Sequence, residues 1–135
     1  MTLTLRVLAP DQSVFDGVVD EVILPSSTGQ LGVLTGHVSM LTALDSGVLR
    51  LREGTGWTSI ALQGGFAEVQ ANQVTVLVNG AEMGTTIDRA AAEREFQAAE
   101  EAARAFEGQQ ATPEKLKAQD ALAQARARLA ASRGS

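Results

Sequence analysis

An antiparallel β domain followed by two antiparallel helices is the β + α fold that this 135-residue sequence predicts. Three observations carry the prediction. Apolar residues alternate at period two as far as Ala81, and most of the 13 glycines fall in that stretch or at its edge. Beyond Asp88 glycine nearly vanishes and alanine recurs at steps of three and four. Alternation with glycine turns suits short strands, whereas the longer period suits an amphipathic helix.

Taken along the chain, Leu3, Leu5 and Val7 alternate with Thr4 and Arg6, and residues 18–24 are rich in β-branched side chains. Val48 to Arg52 alternates, Glu53-Gly54-Thr55-Gly56 supplies a turn, and residues 57–62 return as a strand. After a turn around Asn72, Val74, Val76 and Val78 alternate with Thr75 and Leu77. A sandwich or flattened barrel of roughly eight to ten strands, spanning 1–85, is expected. The helical unit takes 86–135, with helices at about 88–107 and 113–132. Asp88 is a plausible N-cap, and Ala92, Phe96, Ala99, Ala103 and Phe106 share one face. Gly108 suits a left-handed helix end. Thr112 caps the second helix with Pro113 at its first position, where the missing N–H costs nothing. Leu116, Leu122, Ala125 and Leu129 form its sparse apolar side.

Charge divides the chain in the same way. Residues 1–87 carry eight acidic and three basic side chains, residues 88–107 six and three, and residues 113–135 two and five. The helices are therefore complementary, although exposed pairs contribute only about 0.2–1 kcal/mol each. Alanine forms helices well but buries little area, so the hairpin is expected to dock weakly and to open at a cost of a few kcal/mol. An ordinary docked hairpin remains the other reading of that composition.

Several functions are disfavoured. A net charge of −5 argues against nucleic acid or anionic lipid as the main partner. There is no cysteine, no tyrosine and a single histidine, His37. Residues 22–44 run without an ionised side chain, but Pro25, Gly29, Gly32, Gly36 and six Ser or Thr make a lipid-embedded helix implausible. No signal peptide is visible, and a protein soluble by itself is expected. The glycines at 29, 32 and 36 lack a Walker lysine, the first lysine being Lys115. His37 has no nucleophile elbow to serve, and Glu68 with Glu82 has no evident cleft. No catalytic or metal-binding constellation is found.

The segment from Pro25 to Leu49, which includes Gly29-Gln30-Leu31-Gly32 and Gly36-His37, resembles the epsilon subunits of F-type ATP synthases. So does Gly64-Gly65-Phe66-Ala67-Glu68-Val69, running on to Ala81-Glu82. The resemblance covers the whole chain. It implies a ten-stranded β-sandwich with a C-terminal helical hairpin, acting as a non-catalytic central-stalk subunit that needs no cofactor. The implied partners are the gamma subunit, the c-ring and the alpha/beta catalytic subunits, with no nucleic acid and with membrane association only through the complex. The implied place is peripheral, on the cytoplasmic or stromal side of a plasma or thylakoid membrane.

Matched position by position, Ser26, Ser27, Thr28, Gly29, Gln30 and Leu31 correspond to the family's c-ring-facing loop. Gly36, His37, Met40 and Leu41 correspond to its gamma-facing region. Arg126, Arg128 and Arg133 correspond to the tail that inhibits ATP hydrolysis when extended. Many bacterial members begin the first helix with Ile/Leu-Asp-x-x-Arg-Ala, whose arginine helps bind ATP. Here Ala91 replaces that arginine, and Arg89 lies ~200° around the helix from it. Nucleotide binding there is therefore expected to be weak or absent, as in photosynthetic members. Other readings are a stand-alone nucleotide-sensing β domain with a helical lid, which would bind nucleotide without a stalk partner, and an adaptor that self-associates through its hairpin.

Overall fold

The computed structural model describes residues 1–134. The strands are β1 (Leu3–Ala9), β2 (Gln12–Val19), β3 (Glu21–Ser26), β4 (Gly29–Val33), β5 (Met40–Leu44), β6 (Gly47–Glu53), β7 (Gly56–Gln70) and β8 (Gln73–Met83). A 3-10 turn at Gly84–Thr86 leads to α1 (Arg89–Arg104) and α2 (Pro113–Ser132). Ser135, which closes the expected unit 86–135, lies outside the described residues.

The eight strands form one wrapped sheet, ordered β2-β1-β8-β7-β5-β3-β4, with β6 bridging β3 and β7. Its inner face carries the alternating residues. Leu3, Leu5 and Val7 of β1 meet Leu49 and Leu51 of β6 and Val74 and Val76 of β8 in one fully buried cluster. Burying such side chains contributes about 1.5–3 kcal/mol each, which makes this core the stable part of the molecule.

Two expectations need correction. Residues 18–24 are not one strand, since Asp20 divides β2 from β3. Its N–H donates to the Arg52 carbonyl at 2.8 Å, and its Oδ2 accepts from the Gly54 N–H at 2.6 Å. The corner is thus tied to the β6–β7 turn by a contact distant in sequence. Nor is the sheet antiparallel throughout, because β1 runs parallel to β8, pairing Leu5 with Val74 and Leu8 with Leu77.

The strand count of eight, against the ten implied by the resemblance, has its origin in β7 and β8. Ile60 and Leu62 face the core in the first half of β7, but Ala67 and Val69 do so in the second. In β8 the inward set changes from Val74, Val76 and Val78 to Ala81. Both strands therefore exchange faces at the level of Gly64 and Asn79, where the Asn79 side-chain amide donates to the Gly64 carbonyl at 3.1 Å. Divided at that level, the two long strands become four and the total becomes ten. Gly65 permits the crossing, since a Cβ there would lie 2.1 Å from the Leu77 carbonyl oxygen.

The hairpin follows its capping signals. The Asp88 side chain accepts from the Ala91 N–H, and the Thr112 hydroxyl accepts from the Lys115 N–H at 3.1 Å. Gly108 is left-handed at φ 77°. The first helix ends at Arg104, short of 107, and turns carry the chain on to Gly108. Leu116 does not join an apolar seam and is 56% exposed. The buried residues of α2 all lie in its second half, where it rests on β6 and β7. There Ala127, Leu129 and Ala131 meet Ala61, Ile87 and Ala92, with Val48 and Phe96 packed alongside. This second cluster is separate from the sheet core and is built mostly of methyl groups.

Candidate functional site

Three surfaces hold the residues singled out from the sequence. The first is the outer face of the sheet around β5, β7, β8 and β1. The ladder registers place Ala43 opposite Phe66, Phe66 opposite Leu77, and Leu77 opposite Leu8. These four residues thus form an apolar row across four strands. Phe66 and Leu77 are 57% and 56% exposed, and Leu41 on the same face is 70% exposed. Large apolar side chains gathered on one open sheet face mark an interaction surface.

Alternation separates the four residues expected to face gamma. Leu41 points outward on this face, whereas Met40 turns to the core and packs against it. Gly36 and His37 occupy the preceding turn. The Gly36 N–H donates to Oδ1 of Asn72, in the turn between β7 and β8, at 2.7 Å, and Gly36 has φ 82°. His37 Nδ1 lies 2.8 Å from the Val38 carbonyl oxygen. Phe66 and Leu77 are not among the positions expected from the sequence to face a partner. The Gly64-Gly65 pair beside Phe66 was the available signal, because the face exchange there turns a residue in phase with Ile60 and Leu62 to the outside.

The second surface is the β3–β4 hairpin at 26–31. Ser27, Thr28, Gly29 and Gln30 are exposed, and Gly29 is left-handed at φ 128°. Ser26 does not share that exposure. It is 7% exposed, with its hydroxyl 3.1 Å from Thr42 Oγ1 and 3.2 Å from Thr28 Oγ1, and so it braces the loop. Leu31 is half-buried against the core.

The third surface is the seam between hairpin and sheet. Arg128 of α2 joins three elements: Nε donates to Glu82 Oε1 of β8 at 2.7 Å, Nη2 to Glu82 Oε2 at 3.2 Å, and Nη1 to Glu95 Oε2 of α1. The bidentate match to Glu82 uses the fork of the guanidinium. Hydrogen bonding to Glu82 raises the Arg128 pKa above its ordinary value, burial opposes the rise, and Glu95 adds to it. Arg133 pairs with Glu93 at 3.1 Å, and the Arg126 guanidinium lies 5.9 Å over the Phe96 ring. The three arginines expected in an inhibitory tail are thus engaged within the docked hairpin. Glu82, set aside in sequence as half of an unconvincing carboxylate pair with Glu68, is the main partner of Arg128.

The same seam contains a mismatch. Ser59 of β7 and Arg50 of β6 are register partners, and Ser59 Oγ and Arg50 Nε are both buried without a hydrogen-bond partner among the described residues. Burying such atoms unpaired costs free energy, and Ser59 lies where α2 ends, beside Ala131 and Ser132.

At the start of α1, Ala91 presents only a methyl group, and its N–H is taken by the Asp88 cap. Arg89 pairs with Glu93 at 3.8 Å. Among the described residues, no group of three or more His, Asp or Glu is placed to hold a metal ion, and no helix is long and apolar enough to cross a membrane.

Residues 2–84 match the ATP synthase Delta/Epsilon chain beta-sandwich domain family. The ATP synthase epsilon chain of Synechococcus sp. (strain CC9902) is 66% identical over 133 residues, covering 98% of each chain. That of Prochlorococcus marinus (strain MIT 9303) is 59% identical, covering 98% of this chain and 100% of its own. Among solved structures, a chain in the Euglena gracilis mitochondrial ATP synthase, in a structure of OSCP, F1 and c-ring, aligns with a TM-score of 0.80 at 25% identity. It covers 97% of this chain and 81% of the other. A chain from the central stalk and c-ring of the Tetrahymena thermophila mitochondrial enzyme shares the fold, with a TM-score of 0.62 at 16% identity, over 98% and 97% of the two chains. With the β domain matched and near-full-length relatives well above chance similarity, the chain belongs to the family of ATP synthase epsilon chains.

Proposed function

We propose that this chain is a non-catalytic rotor subunit of the central stalk of a proton-translocating F-type ATP synthase, and that its hairpin restrains ATP hydrolysis. The exposed row Ala43, Phe66, Leu77 and Leu8 carries the docking part of the reading. Apolar area of that kind needs a partner, and the gamma subunit is the partner assigned to it. The β3–β4 hairpin at Ser27–Gln30 is assigned to the c-ring. A wrapped sheet with a filled core suits torque transmission, because close-packed interiors deform little. On a plasma or thylakoid membrane the chain would sit peripherally, held by the complex.

The hairpin supports the regulatory part. Its seam is rich in alanine, carries two unsatisfied polar atoms and depends on partly exposed ion pairs. Its 20-residue α2 spans roughly 30 Å, so release would give a long arm. Released, Arg126, Arg128 and Arg133 would seek acidic surfaces on the catalytic subunits.

Two experiments test the reading. Leu77→Asp should weaken gamma binding about 30-fold or more while leaving the fold intact, because a buried hot spot contributes about 2–4 kcal/mol and an exposed site tolerates change. Undiminished gamma capture would remove the docking assignment. Deleting 88–135 should raise ATPase activity of the reconstituted complex without loss of assembly, and unchanged activity would remove the brake.

A further inference from the structure

The apolar row on the outer face of the sheet is bordered by charge, and the strand registers fix where that charge stands. In the neighbouring outward row, Leu41 of β5 lies opposite Glu68 of β7, and Glu68 opposite Thr75 of β8. Thr75 stands beside Arg6 of β1, and Arg6 opposite Asp16 of β2. Residues two apart on a strand share a face, so this row points outward with the first. Arg6, Asp16 and Glu68 are exposed, and none has an ion-pair partner among the described residues. Glu68 and Arg6 thus flank β8, one strand to either side, with opposite charge. Phe66 and Leu8 flank it in the same way in the apolar row.

A face with that pattern is complementary to itself. A two-fold axis along β8, midway between two facing sheets, exchanges β7 with β1 and keeps each row at its own level. Leu77 then meets the partner's Leu77, Phe66 meets the partner's Leu8, and Glu68 meets the partner's Arg6. The interface is isologous, so the Glu68 contact occurs twice. Facing sheets keep their strands within about 30° of each other, a rotation that leaves groups close to the axis opposed. An axis running across the strands would instead stack β7 on β7 and form no pair between Glu68 and Arg6. Asp16 and Leu41, two strands from β8, fall at the rim, where solvent screens the charge.

We infer that the free chain pairs with a second copy of itself through this face, with the two-fold axis along β8. The inference rests on the open docking face named above, and not on the gamma subunit as its occupant. A stalk partner seated there would displace the second copy, so the pairing belongs to the chain before assembly, when it covers apolar area that otherwise invites aggregation. Each copy carries net −5, so long-range repulsion opposes association. The Glu68 contacts accordingly set orientation more than they supply affinity. A small interface of this kind corresponds to a dissociation constant on the order of 10–500 μM.

Sedimentation equilibrium of the full-length chain tests the pairing. A monomer–dimer equilibrium in that range is expected, and a chain still monomeric at ~1 mM overturns the inference. Leu77→Asp should abolish the dimer, and an undiminished dimer places the contact elsewhere and overturns it too. The axis is tested by charge exchange at two exposed positions, where the fold tolerates change. Arg6→Glu makes the two flanking groups both acidic, and Glu68→Arg makes them both basic. Each variant alone should self-associate about tenfold more weakly or worse, because like charges then oppose each other. Mixed, with one of them labelled, the two variants should form a heterodimer at least as tight as the parent dimer. Parental self-association of both variants, or no heterodimer on mixing, overturns the axis. No gamma subunit is present in these measurements, so their failure leaves the gamma assignment standing. Undiminished gamma capture by Leu77→Asp removes that assignment and leaves the pairing in place.

Discussion

Replacing Arg128 by methionine keeps the apolar stem and removes the group that joins α1, α2 and β8. The magnitude follows from the geometry. The Arg128 side chain is 27% exposed, while Glu82 and Glu95 are 41% and 52% exposed, so solvent screens both pairs. Screened pairs contribute about 0–1 kcal/mol, and bidentate geometry places the Glu82 pair at the upper end. The loss should total about 1–2 kcal/mol, which raises the hairpin's opening constant roughly 5–30-fold. Native-state amide exchange should show this as lost protection in α1 and α2, with β1, β6 and β8 unchanged because their core is a separate cluster. A cation whose pKa rises on folding contributes fully below its unfolded pKa and fades only as pH climbs through the folded one. For this guanidinium both values lie above the physiological range, so Arg128 itself imparts no pH dependence near neutrality. Added salt should weaken the seam instead. Unaltered hairpin protection in Arg128→Met, or an equal loss in the sheet, would refute the clasp.

Ser59→Ala should act in the opposite sense. It removes a buried hydroxyl that has no partner among the described residues, and docking should gain about 1 kcal/mol, seen as slower exchange in α2; faster exchange would contradict the mismatch. Gly84→Ala should push α2 off the sheet, because the new Cβ would stand 2.2 Å from the Ala131 carbonyl oxygen. An overpacking cost of about 1–3 kcal/mol is expected, and protection of Ala127 and Leu129 equal to the parent chain's would count against it.

Legibility in the sequence followed the range of the interactions. The caps at Asp88 and Thr112, the left-handed Gly108 and the inward set of β1 depend on residues within one turn or one strand, and all were readable. The division at Asp20 rests on a partner more than thirty positions away, Gly54, and escaped a reading by local pattern. The opposite facing of Met40 and Leu41 follows from strand alternation, but only once β5 is known to be a strand. Leu116 fits a helical face in sequence yet is 56% exposed, since α2 rests on the sheet only with its second half.

Period, capping and charge alone were enough to establish a β domain, a helical hairpin and a seam short of large side chains. They did so because those properties are carried by neighbouring residues and by composition. Folding in three dimensions decided the rest: the apolar row through Phe66 and Leu77, the Glu82 clasp on Arg128, and the stacking of Arg50 on Trp57 and of Arg126 on Phe96. Each needs residues from separate strands and helices to meet, and strand register together with the face exchange at Gly64 determines which of them do.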